Sequence, residues 1–186
     1  MKLSSSMILA LAITVKGYTF DRLNKSDAAL LVIDHQIGLS ELMHPTAPYI
    51  KRQGEVNAWD NANFRTAVEA TGKKQLIIGG IVTEVCTSFL ALSLVEASYD
   101  VWANTEASGT FSDKLASDAN RRMEQAGVHL MGLFGMTMDL MRDWRNSPGS
   151  AEVLPYLDKY LVPYSLVACA HGYAMEMVQS KQEKLK

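Results

Sequence analysis

The 186-residue chain has only two cysteines, Cys86 and Cys169, and no Cys-x-x-Cys pair. Two thiols so far apart exclude a disulfide framework and the paired-cysteine motifs of zinc and redox sites, and they fit a reducing compartment. There is no Gly-x-Gly-x-x-Gly and no Walker loop, so no cofactor is implied. An excess of positive charge is also missing. The formal net charge is −2 and no basic stripe stands out, which argues against a nucleic-acid partner. The N-terminal apolar run, residues 7–15, falls well short of the ~20 residues that span a bilayer, so no membrane partner is expected. His44, His129 and His171 have no metal-ligand spacing with each other or with carboxylates, so no metal is expected. Internal repeats and low-complexity segments are absent.

What remains is an ordinary globular composition, 48% hydrophobic and 20% charged, in a chain long enough for one domain with a substantial core. Residues 1–17 stand apart as an N-terminal extension. Met1-Lys2, the apolar run and Lys16-Gly17 resemble a signal-peptide core without a small-x-small cleavage site. A targeting peptide, an additional strand or helix, and a start-codon artefact all remain open. The first predicts an organellar or secreted protein, the others a cytoplasmic one.

From there, short apolar runs alternate with helical patterns. Residues 28–34 end in an acid and read as a central parallel strand with Asp34 at its carboxyl end. Residues 63–71 have helical spacing and stop at Gly72. Strands follow at 76–82, 100–105 and 128–133, with helices at 88–98, 114–125 and 136–145. One more helix is expected at 152–161 and another at 164–179, within the C-terminal segment 162–186, although residues 164–179 have no clear period. Strand alternating with helix predicts a parallel sheet covered on both faces, an α/β/α sandwich. Such sheets carry their chemistry at the carboxyl ends of the strands. Asp34, the turn before Cys86 and the 106–109 loop all fall on that edge.

The most informative stretch is Gly80-Ile-Val-Thr-Glu-Val-Cys86. It reads as a buried strand, a tight turn and a helix with Cys86 on its first turn. Unpaired N–H groups and the helix dipole at that position favour thiolate, the nucleophilic form. A useful thiol also needs a base and an orienting group. Asp34 is a candidate for the first. Arg52, in a polar stretch that ends at Asn57 and Trp59, is a candidate for the second. Each residue also has a plainer reading: Cys86 as a small buried apolar group, Asp34 as a loop cap, Trp59 as core, His35 as a hydrogen-bonded support.

Taken together, Leu31-Val-Ile-Asp-His-Gln-Ile-Gly-Leu39, Pro48-Tyr-Ile-Lys-Arg-Gln-Gly-Glu-Val-Asn-Ala-Trp-Asp-Asn61, Gly80 to Cys86, Thr105-Glu-Ala-Ser-Gly109 and Met141-Arg-Asp-Trp-Arg-Asn146 resemble the isochorismatase-like cysteine hydrolases, and within them the YcaC-type subgroup. The resemblance covers about residues 18–161. It implies a Rossmann-like three-layer fold and a thiol that attacks an amide or related C–N bond, with hydrolysis of a covalent intermediate. It further implies an Asp, Lys, Cys triad, here Asp34, Arg52 and Cys86, with arginine at the lysine position. A cis peptide between Val82 and Thr83 is implied too, aiming the Thr83 and Cys86 N–H groups at an oxyanion. The substrate pocket is implied at Gln36, Asn57 and Trp59, and the assembly is a homo-oligomer with residues 136–141 and the C-terminal segment as contact surfaces. One feature departs from the pattern. Only residues 41–47 stand where the family has a helix, a strand and a loop, and a βαβ unit needs ~30 residues. Three explanations stay open: a gene-model or splice error, a degenerate paralogue with a truncated fold, and a fold completed by a substitute strand from residues 7–15. The alternative to an active hydrolase is a catalytically impaired oligomeric paralogue with a structural or binding role.

Overall fold

A computed structural model describes residues 20–34 and 48–183. The N-terminal run, His35, Gln36, His44 and the 41–47 segment lie outside the described residues. Four strands form one parallel sheet in the order β1-β2-β3-β4, with β1 Ala28–Ile33, β2 Gln75–Gly80, β3 Asp100–Asn104 and β4 His129–Met131. Each crossover is helical: α1 Ala62–Ala70, α2 Ser88–Glu96 and α3 Asp113–Gln125. Three helices follow the sheet, α4 Leu133–Met141, α5 Ser150–Tyr160 and α6 Val162–Glu183.

The layering follows from strand periodicity. Successive residues of a strand point to opposite faces. Leu76 and Ile78 of β2, with Val101 and Ala103 of β3, pack against Val68 of α1, Leu90, Ala91 and Leu94 of α2, and Met123 of α3. Ile77 and Trp102 point the other way, to Leu23 and Met136 of α4. The expected α/β/α sandwich is therefore present. Caps set the helix starts: Asn61 accepts from the Phe64 N–H at 3.0 Å, and Ser112 from the Leu115 N–H at 3.3 Å.

Two expectations change. Among the described residues β1 is not central: it pairs only with β2, and Leu30 and Val32, on the Ile77 side of the sheet, are 67% and 39% exposed. An apolar strand suited to burial on both sides thus edges the described sheet, and the chain between Asp34 and Pro48 is too short to supply a crossover and a further strand. The methionines of 136–141 are not a free contact surface either. Met136 and Met141 are buried, and Met138 packs against the Val153 and Leu157 cluster. α4 also stops at Met141 rather than 145, where Arg142 takes a φ of 68°.

β1 and β2 approach unusually closely at their carboxyl ends. A Cβ on Gly80 would sit 2.6 Å from the Ile33 carbonyl oxygen and 2.7 Å from its Cβ. Gly80→Ala must push back the residue immediately before Asp34, at a cost of about 1–3 kcal/mol as overpacking. A lowered melting temperature is the expected result, and an unchanged one would show that β1 moves freely.

Candidate active site

Three elements meet at the carboxyl edge of the sheet. β1 delivers Asp34, which ends the strand at φ 56°, a left-handed conformation that Asp tolerates better than most residues. The segment after Pro48 delivers Arg52. Beyond β2, a π-helical turn, Thr83–Thr87, delivers Cys86 just before α2 begins at Ser88. All three residues line one cavity of about 720 Å³, which continues along β1 over Leu31, Ile33, Ile50, Phe64 and Val68.

Arg52 is held by both ends of its guanidinium. Nη2 donates to Asp34 Oδ1, and Nη1 donates to the carbonyls of Glu55 (2.6 Å) and Val56 (2.9 Å). Glu55 folds this loop back on itself. Its carboxylate accepts from the N–H groups of Gln53 (2.7 Å) and Gly54 (3.1 Å) and from the Asn61 amide (3.1 Å). Donors so concentrated, its own backbone N–H first among them, hold the Glu55 carboxyl down at about 2. Glu55 is a residue that reading the sequence missed. Nothing in Arg52-Gln-Gly-Glu55 marks the glutamate as a clamp until the loop closes.

Asp34 Oδ2 is buried and has no hydrogen-bond partner among the described residues. The Cys86 thiol adjoins this carboxylate. Burial pushes the Cys86 pKa up from its ordinary 9.0, and the negative Asp34 carboxylate beside it pushes it further. A hydrogen bond from the Val82 backbone and the Arg52 charge pull the other way without prevailing. The expectation of a resting thiolate is corrected here. The turn that carries Cys86 is close to a carboxylate and partly dry, and both effects outweigh the helix start.

The turn itself is fixed by the loop after β3. Thr83 donates through its N–H to the Gly109 carbonyl (2.7 Å) and through Oγ1 to the carbonyls of Gly109 (2.8 Å) and Ser108 (3.1 Å). The Gly109 N–H returns a bond to the Gly80 carbonyl at 3.1 Å. Thr83 is thus a structural tie: its N–H is already spent and does not point to an oxyanion. The cis peptide lies one bond earlier than expected, between Ile81 and Val82. Asn57 and Trp59 do not line the cavity. Asn57 Oδ1 accepts from the Trp59 N–H (3.1 Å) and Nδ2 donates to Ser93 Oγ (2.8 Å), while Trp59 packs edge-on to Tyr99 with ring centroids 6.0 Å apart. Their polar and aromatic character serves a turn and the core. Gln36 lies outside the described residues.

This geometry agrees with a family match. The isochorismatase domain model aligns with residues 39–133, about half the chain. The chain belongs to the isochorismatase family. A probable hydrolase of Escherichia coli strain K12, YcaC, is 41% identical over 172 residues, which cover 67% of this chain and 83% of that protein. The aligned stretch is longer than the part of this chain that enters it, so YcaC carries residues with no counterpart here. Among solved structures, the E. coli YcaC product, an octameric hydrolase of unknown specificity, matches with a TM-score of 0.75 and 36% identity over 85% of this chain and 100% of that one. YcaC from Pseudomonas aeruginosa, solved with hexane-2,5-diol and covalent acrylamide, matches with a TM-score of 0.75 and 35% identity over 84% of this chain and 100% of that one. The parallel sheet flanked by helices is the fold these proteins share with this chain.

Proposed function

We propose that this isochorismatase-family chain is a cysteine-dependent hydrolase of small amides or related C–N bonds, working through a covalent thioester. The observation that carries the reading is the convergence of Cys86, the unpartnered Oδ2 of Asp34 and the anchored Arg52 in one cavity. Asp34 takes the proton as Cys86 Sγ bonds to the amide carbon. The C–N bond then breaks, and the nitrogen leaves with that proton. Water, losing a proton to Asp34, next attacks the thioester carbon. The C–S bond breaks, the acid departs and Sγ recovers its proton. A thiol with a raised pKa suits this scheme, since the thiolate forms only as a substrate arrives and leaves no idle nucleophile. Arg52 orients the carboxylate and stays charged throughout. With Thr83 tied to Gly109, the oxyanion role falls to the Cys86 N–H of the expected pair.

A covalent acrylamide in the P. aeruginosa YcaC structure supports an electrophile-reactive site in this fold. The octameric state of E. coli YcaC supports a homo-oligomer here as well. No helix among the described residues is long and apolar enough to cross a membrane. The open flank of β1 and the arginine at the lysine position favour one second reading, an oligomeric paralogue of reduced activity.

Acrylamide labelling with peptide mass analysis separates the two. Cys169 is exposed and Cys86 half-buried, so simple access favours Cys169. An active site reverses that order, with Cys86 modified first and a competing amide slowing only Cys86. Labelling of Cys169 alone would leave the impaired paralogue.

A further inference from the structure

We infer that α6 is a self-association helix, pairing antiparallel with α6 of a second copy about a two-fold axis at Gly172. The inference rests on the proposed assembly and names its surface. Among the described residues, α6 is tied to its own chain only near its start. Tyr164 packs on Phe134 with centroids 4.8 Å apart and lies parallel to Trp144 at 6.3 Å. From Cys169 to Gln182 every residue is exposed. In proteins most helical stability comes from tertiary packing rather than from propensity. Among the described residues, its own chain packs only on the first turns of α6.

Most, not all, of the large apolar residues share one side: Met175, 46% exposed, lies off it, and Lys181 falls within it. At 3.6 residues per turn, Leu166, Val167, Ala170, Ala174, Met177 and Val178 fall on one side, with Tyr173 on its border, while Ser165, Glu176 and Gln179 fall on the opposite side. Leu166, Val167, Tyr173, Met177 and Val178 are 67%, 67%, 70%, 61% and 49% exposed.

The order of sizes identifies the occupant. Read outward from Gly172, both directions run small and then large-large: Ala174, Met177, Val178 one way and Ala170, Val167, Leu166 the other. An antiparallel copy therefore sets Leu166 against Val178, Val167 against Met177 and Ala170 against Ala174. Small residues meet where the helix axes are closest, and large ones fill the flanks. A two-fold interface needs just this self-complementarity. From Val162 to Met175 the helix has no Asp, Glu, Lys or Arg, so like copies meet without charge repulsion. The five large side chains would bury roughly 600 Å² per copy, about 1,200 Å² in all, which reaches the lower end of stable interfaces. A membrane surface fits less well, because the polar side carries Glu176 and Gln179 where lysines and arginines would be needed.

Sedimentation velocity on the full chain tests the interface. The double substitution Leu166→Glu and Met177→Glu should cut the particle mass to half or less, while Gln179→Glu on the polar side should leave it unchanged. Cross-linking tests orientation without a charge in the seam. In a Cys169→Ser background, chains with Leu166→Cys and chains with Val178→Cys should form a disulfide-linked dimer under a mild oxidant when mixed, and not separately. Positions 166 and 166 of two antiparallel copies lie roughly 18 Å apart along the axis, too far to bridge. An unchanged mass for the double glutamate variant, or self-linking of the Leu166→Cys chain, overturns the pairing alone. A wild-type chain that sediments as a monomer overturns the pairing and the proposed assembly together.

Discussion

Replacing Cys86 with alanine is expected to abolish amide turnover while leaving the fold intact. In the proposed scheme no other group can form the bond to the substrate carbon, because the one other thiol, Cys169, lies exposed on α6. Loss of a covalent nucleophile costs several orders of magnitude in kcat, commonly down to the background given by binding alone. Stability should change little. Cys86 is only partly buried at the edge of the main core, and trimming one sulfur there removes modest apolar contact. The measurement is kcat on an amide panel beside the thermal midpoint. Activity in Cys86→Ala within tenfold of wild type would end the nucleophile assignment.

Asp34→Asn carries the second large effect, and it splits two quantities that usually move together. As the general base, Asp34 is expected to contribute about 10²- to 10⁴-fold to the rate, and asparagine cannot take the proton. Yet the carboxylate is also one of the causes that hold the Cys86 pKa above 9.0. Removing it should bring the thiol pKa down. Reactivity with a simple alkylating agent follows the thiolate fraction. In the wild-type protein the logarithm of the Cys86 alkylation rate should therefore rise by about one per pH unit through pH 9 without levelling. In Asp34→Asn it should level at lower pH, so alkylation near neutrality becomes faster while amide hydrolysis nearly stops. A residue that merely props up the loop would slow both. Parallel losses in the two assays would return Asp34 to the role of a strand-end cap.

The elements that were legible share one property: their signals are local. β2 announces itself as the apolar run 76–82, and α3 by helical spacing over 114–125. The order strand, helix, strand was enough to expect a parallel sheet with chemistry at its carboxyl edge, and Asp34, Arg52 and Cys86 do converge there. What misled was residue type standing in for position. The resemblance implied Asn57 and Trp59 in the pocket, but one caps a turn and the other, as its plainer reading had it, joins the core beside Tyr99. The methionines of α4 look like a soft contact surface until Met136 is seen packed on the sheet and Met138 and Met141 against α5. Thr83 looks like an oxyanion donor until the Gly109 carbonyl is found occupying its N–H.

The charge state of Cys86 shows where the division lies. Its place on the chain, between a buried strand and a helix, follows from seven consecutive residues, and so does its candidacy as a nucleophile. Helix-start chemistry taken alone predicts a thiolate. Whether the thiol is in fact ionised depends on the field and the solvent around the sulfur, and those come from β1 and the Arg52 loop, 52 and 34 positions earlier in the chain. Composition, periodicity and motif order therefore determined the class of fold, the strand edge and the three candidate side chains that meet there. Tertiary structure alone decided that the Thr83 N–H is taken, how β1 is covered among the described residues and on which side of neutrality the sulfur rests. Each of those depends on desolvation and on partners brought together through space, and neither is written in any single stretch of sequence.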